Sequence, residues 1–133
     1  MNLITLNATK ALEMMKRGEL SSEKYVSAFL EHIEKREPHV GAWAFIDPTL
    51  AIAQAKEADK RWKNKNAGKL NGLPIGIKDI IDTKDMPTEN GSKACKNRKP
   101  TEDAHLVKLL REAGAVIMGK CVTTEFALSG PGK

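Results

Sequence analysis

Aromatic side chains are scarce in this chain of 133 residues, making up 5% of it. A surface for stacking the bases of single-stranded nucleic acid is poorly supplied by that stock. The three histidines are dispersed, and the two cysteines, Cys95 and Cys121, are far apart with no CxxC pair. A zinc site draws on clustered ligands, so no metal is expected. Two unpaired thiols suit a reducing compartment. No apolar run approaches the length that spans a bilayer. The N-terminal run Met1-Asn-Leu-Ile-Thr-Leu-Asn7 lacks a basic region followed by a long apolar core, so no signal peptide is read there. These absences point to a cytoplasmic protein with no membrane partner.

What is present is ordinary for a globular chain: 41% hydrophobic and 29% charged residues, in a length that suits one domain. The net charge of +5 is concentrated in residues 56–69 and 93–99. With no nucleic-acid-binding motif beside them, both stretches read as solvated faces or loops.

Periodicity supplies the elements. Asn7 is a fitting N-cap for a first helix with Ala8, Ala11, Leu12 and Met15 on one face, stopped at Gly18. Ser21 or Ser22 starts a second helix, with Val26, Phe29, Leu30 and Ile33 as its stripe and Pro38 closing it. Its histidine, His32, lies at the edge of that stripe, and both it and His39 read as non-ligands. Residues 42–46 read as a buried strand and residues 50–63 as an Ala-rich helix with Ala51, Ala55, Ala58 and Trp62 on one face. Residues 75–81 form the next strand, and residues 82–100 a long loop of the kind that usually wraps a site. Thr101 or Asp103 should cap a helix carrying Leu106, Val107, Leu109 and Leu110, which Gly114 ends. Residues 115–118 form the last strand. Strand, loop, helix, strand is a crossover unit, which pairs its strands in parallel. The class is α/β with a helical N-terminal arm.

Two motifs invite a functional reading and do not sustain it. Gly114-Ala-Val-Ile-Met-Gly-Lys-Cys121 nearly matches the phosphate-loop pattern, but Cys121 lacks the metal-binding hydroxyl and the run is a strand, not a strand-to-helix turn. Ser92 and Ser129 lie in Gly-containing loops and neither sits in a GxSxG elbow. The carboxylate pairs Asp79/Asp82 and Glu102/Asp103 are of a common loop kind.

That leaves Lys78, a charge within the apolar run 75–81. Lysine acts as a base only when neutral, and burial favours that form. Ile75, Ile77, Ile80 and Ile81 could supply the burial, and strand alternation would keep Asp79 on the opposite face. The pattern alone favours a lysine at a strand end, paired or solvated.

Several segments, in order, resemble the amidase signature family: Leu70-Asn-Gly-Leu-Pro-Ile-Gly-Ile-Lys-Asp79, Pro87-Thr-Glu-Asn-Gly-Ser92, Glu112-Ala-Gly-Ala-Val-Ile-Met-Gly-Lys120 and Thr124-Glu-Phe-Ala127. Arg17-Gly-Glu-Leu-Ser-Ser22 and Gln54-Ala-Lys-Glu-Ala-Asp59 resemble the family's N-terminal arm. The resemblance implies a mixed-sheet α/β domain several hundred residues long. It implies hydrolysis of amide carbon–nitrogen bonds by a Ser–cis-Ser–Lys triad, with no metal or cofactor. Lys78 matches the family's general base, drawing a proton through a bridging serine while a second serine attacks.

On this reading residues 1–69 are a helical arm with one strand, and residues 70–133 begin the signature core. The Gly-Gly-Ser-Ser-rich segment that carries both triad serines is not in this sequence, and Ser129 is assigned to neither. The 133 residues are thus expected to be an incomplete amidase domain, inactive alone and prone to aggregate through exposed strand edges. The whole protein is expected to act on a small-molecule amide and is compatible with a homo-oligomer; nucleic acid is not an expected partner. The alternatives are the glutamine-hydrolysing component of a tRNA-dependent amidotransferase, or a non-catalytic remnant.

Overall fold

The computed structural model of the chain describes residues 2–128 and 130. Helix α1 (Ala8–Lys16) starts where the Asn7 side chain accepts the Lys10 N–H at 2.9 Å. That bond satisfies one of the first-turn donors a helix leaves unpaired. Helix α2 (Ser22–Val40) starts in the same way, with Ser21 accepting from the Lys24 N–H at 3.1 Å. Both starts agree with the sequence reading, but the end of α2 does not. Pro38 lies inside the helix, which continues to Val40. Within a turn of the end, proline removes only one backbone bond. Gly41, left-handed at φ 60°, is the stop, and its N–H donates to the Glu37 carbonyl.

Strand β1 (Trp43–Ile46) leads to α3 (Pro48–Lys63), where the Asp47 side chain accepts from the Leu50 N–H and Pro48 takes the first helical position. Strand β2 (Pro74–Lys78), helix α4 (His105–Glu112) and strand β3 (Val116–Cys121) complete the fold. The sheet order is β1-β3-β2, with β2 parallel and β1 antiparallel to β3. The predicted crossover is present, and the described sheet is mixed. Strand β1 is half-buried rather than buried, because as an edge strand it has one neighbour. Strand β3 continues to Cys121, past the expected end at residue 118, because both neighbours pair with Gly119, Lys120 and Cys121.

Helices α2 and α3 cover one face of the sheet, where Val26, Ala51 and Ala55 pack on Val116 and Met118. The alanine stripe allows that approach: Ala51, Ala55 and Ala58 have no exposed surface. Helix α4 and the 82–100 loop cover the other face, with Ile77, Met86, Val107 and Ile117 in contact. The expected Asp103 cap of α4 is not made. Ala104 is the capping residue, without a side-chain bond. Asp103 turns inward instead, accepting from the Lys84 N–H at 2.9 Å and from Arg111 Nε at 3.0 Å. An ion pair in which both partners are charged outweighs a cap in which only the carboxylate is.

One irregularity decides what faces the loop. Ile75 pairs with Ile117, but the next residue, Gly76, pairs with Gly119. Met118 is therefore an extra residue, a β-bulge. A one-residue insertion reverses the face taken by everything after it. Without the bulge, Lys120 would join Val116 and Met118 beneath α2 and α3. With it, Lys120 is the register partner of Ile77, on the loop side. Glycine is needed at 119, since a Cβ there would collide with the Phe45 carbonyl oxygen.

Candidate functional site

The C-terminal ends of β2 and β3 lie side by side, with Lys78 opposite Cys121. Beyond Lys78 the chain turns sharply, the Ile81 N–H returning to the Lys78 carbonyl at 3.0 Å. The strand therefore ends at Lys78, three residues short of the sequence reading. Lys78 is exposed, while Ile77 before it and Asp79 after it are buried. The flanking isoleucines do not provide the burial expected for Lys78 within the described residues. The apolar surface of Ile75, Ile77 and Ile81 goes instead into the core under α4. Lys78 shares a face with Gly76 and Cys121, and a Cβ on Gly76 would lie 2.6 Å from Cys121 Sγ.

Asp79, on the opposite face as alternation requires, is bonded at every polar group. Its N–H donates to the Cys121 carbonyl at 2.8 Å and its carbonyl accepts from the Asn90 N–H at 2.9 Å. Its two carboxylate oxygens accept from the Glu89 N–H at 3.3 and 3.2 Å. Beneath it lies Lys120, wholly without exposed surface, with Nζ 3.4 Å from Asp79 Oδ1. The same Nζ donates to Thr88 Oγ1 at 2.5 Å and to the Pro87 carbonyl at 3.1 Å. Burial pulls the Lys120 ammonium below the ordinary lysine pKa, opposed by the charge and hydrogen bond of Asp79 and by Asp82, while Arg98 adds to the fall.

The loop is fastened at its rim as well. Arg98 clamps Asp82 with both terminal nitrogens, at 2.7 and 2.8 Å. That clamp holds the Asp82 carboxyl below the usual range. Ser92 donates to Glu125 Oε1 at 2.7 Å, and the Phe126 N–H reaches the Asn90 carbonyl at 2.8 Å. Gly91 is left-handed at φ 63°, and a Cβ there would approach the Thr123 carbonyl oxygen to 2.6 Å. A cleft of about 710 Å³ opens beside this turn, lined by Trp43, Asp79, Glu89, Ser92, Lys93 and Thr123 among others.

The carboxylate pairs are thus divided among ion pairs: Asp82 with Arg98, Glu102 with Lys108, and Asp103 with Arg111. His32, His39 and His105 are all exposed. Ser129 lies outside the described residues. Among the described residues no helix is long and apolar enough to cross a membrane, and Cys95 and Cys121 are free thiols. Burial, together with the Glu37 charge, pushes the Cys121 thiol up.

A family model described as amidase matches residues 24–133. The chain belongs to the amidase family. The A subunit of the glutamyl-tRNA(Gln) amidotransferase of Roseiflexus castenholzii is 43% identical over 126 residues, covering 95% of this chain and 26% of that protein. The crystal structure of native peptide amidase from Stenotrophomonas maltophilia superposes with a TM-score of 0.86 at 32% identity, covering 92% of this chain and 26% of that one. An amidase family protein from Bacillus anthracis gives 0.83 at 28% identity, with 92% and 25% covered. The chain thus spans about a quarter of the length of these relatives.

Lys120 is the buried charge that sequence reasoning passed over. It appeared only as part of the false phosphate loop and as the end of the Glu112–Lys120 matching segment, with no role given to it. Its partners Pro87 and Thr88 lie more than thirty residues earlier, and the bulge that turns it towards them has no local signature beyond Gly119.

Proposed function

We propose that the whole protein hydrolyses the carbon–nitrogen bond of a small-molecule amide, with Lys78 as general base. The observation that carries this reading is the placement of Lys78. It ends a parallel strand with its amine exposed, within the stretch that matches the amidase model. In the mechanism the family implies, neutral Lys78 takes a proton from a bridging serine, which takes one from the attacking serine. Neither serine is assigned among these residues. Ser92 is engaged with Glu125, and Ser22 Oγ donates to the Gly72 carbonyl. The 133 residues alone should therefore hydrolyse no amide. No metal or cofactor is assigned to the reaction. The two free thiols fit a cytoplasmic location.

The test is Lys78→Ala in the complete protein, assayed for ammonia release from amides. The expected loss is about 10²–10⁴-fold in kcat. Activity within threefold of wild type, at about equal folded protein, would exclude the base role.

A second reading is supported by the 43% identity to the A subunit of an amidotransferase. In it the substrate is glutamine and the ammonia passes to a partner protein. Glutamine-dependent ammonia release that requires co-purifying partners would select this reading. Unaided hydrolysis of other amides, by a homo-oligomer or a monomer, would select the stand-alone amidase.

A further inference from the structure

Asp79 and Lys120 have no part in the chemistry proposed above, yet they form the most enclosed ion pair among the described residues. Lys78 precedes Asp79 by one peptide bond, and the two differ in restraint. Asp79 is tied through its N–H to β3, through its carbonyl to Asn90, and through its carboxylate to Glu89 and Lys120. Lys120 in turn holds Pro87 and Thr88. An exposed side chain that leaves a strand end is placed by its backbone, and here that backbone is fixed one residue later.

We infer that the Asp79–Lys120 pair positions Lys78, locking the end of β2 so that the amine leaves the sheet from one fixed point. The inference rests on the reading of Lys78 as the base. The other charges around the pair are Asp82 and Arg98, which face each other across the loop rim. Asp79 and Lys120 are positioning residues, acting through the backbone rather than on the substrate.

The test uses the complete protein. Lys120→Met, Asp79→Asn and the double variant are assayed for kcat and KM of amide hydrolysis, each normalised to the fraction folded by the fluorescence of Trp43 and Trp62. The double variant leaves no lone charge buried, so it provides a folded species. Each single variant should lose kcat by about 10²-fold, the cost of misplacing a reacting group by an ångström, with KM changed by less than about threefold. The double variant should lose no more than the worse single one, because the two residues act as a unit.

A folded variant with wild-type kcat would overturn the inference, as would losses that multiply in the double variant. A double variant that does not fold would also overturn it, since stability alone would then account for the pair. Lys78→Ala, run alongside, separates the two claims. If it stays active, the base reading fails and the positioning claim fails with it. If it is inactive while the folded pair variants keep their kcat, only the positioning claim fails.

Discussion

Lys78 and Lys120 stand one rung apart at the same end of two adjacent strands, and the fold treats them in opposite ways. Lys78 is exposed, and among the described residues its amine has none of the partners that Lys120 has. Lys120 is sealed in, with a carboxylate, a hydroxyl and a carbonyl around its ammonium. The difference shows what each type of site can offer. A buried and fully bonded lysine is committed to structure, since giving up a proton would forfeit a contact and the charge that Asp79 faces. An exposed one at a strand end keeps its amine clear of such contacts, as the base role proposed for Lys78 requires.

Truncation should separate them most strongly. Lys120→Met strands the Asp79 charge in the interior and should cost about 3–5 kcal/mol in urea denaturation. Lys78→Met should stay within about 0.5 kcal/mol, as surface changes do. Equal costs would break the comparison. Gly91→Ala tests the loop side of the same buried pair. A left-handed φ and the close Thr123 carbonyl should together cost about 1–3 kcal/mol, with Trp43 fluorescence as a probe of the adjoining cleft.

The pH dependence of Lys120 is a smaller effect with a definite sign. Its pKa is lowered on folding, so the unfolded chain binds more protons in the window between the lowered value and the ordinary lysine value. Stability from this group is present above that window and is lost as pH falls through it. The stability difference between wild type and Lys120→Met, followed by denaturation up to about pH 10, should therefore widen with rising pH. A flat difference would mean that Asp79 fully offsets the burial.

Asp82 behaves as a lowered carboxylate does, its contribution being present above the ordinary Asp range and lost as pH falls through its folded value. It is a rim pair, so Asp82→Asn should cost less than about 1 kcal/mol. Its signature should be faster trypsin cleavage within residues 93–99, where Lys93, Lys96, Arg98 and Lys99 are exposed. Cys121 gives the smallest readout. With its thiol pushed up by burial and Glu37, it should alkylate more slowly at pH 8 than an unperturbed thiol, by peptide mass mapping.

Much of this architecture could be read from the chain because it follows short-range rules. Asn7 and Ser21 cap the helices they precede, the alanines of α3 share a face, and strand, loop, helix and strand follow in crossover order. The misreadings have a common cause, which is that long-range contacts overrule local signals. Pro38 did not end α2 because the break it imposes falls in the last turn. Asp103 left its cap for Arg111. Ile75, Ile77 and Ile81 pack under α4 and leave Lys78 uncovered. At the candidate site a strand carrying Lys78 was legible, but its end at that residue was not. The partners of Lys120 were not, because register is invisible to a pattern that counts residues in one segment.

Met118 has a consequence for how this chain can change length. It acts as a parity switch: one residue removed from β3 would carry the Lys120 ammonium from the acidic, hydroxyl-lined side of the sheet to the alanines and Val26 of the other. A loss of two would restore the side but not the reach. Residues 93–99, exposed or half-exposed throughout, impose no such arithmetic. Insertions and deletions in related chains should therefore gather in that stretch and avoid residues 116–121, making strand length here a trait as constrained as any side chain.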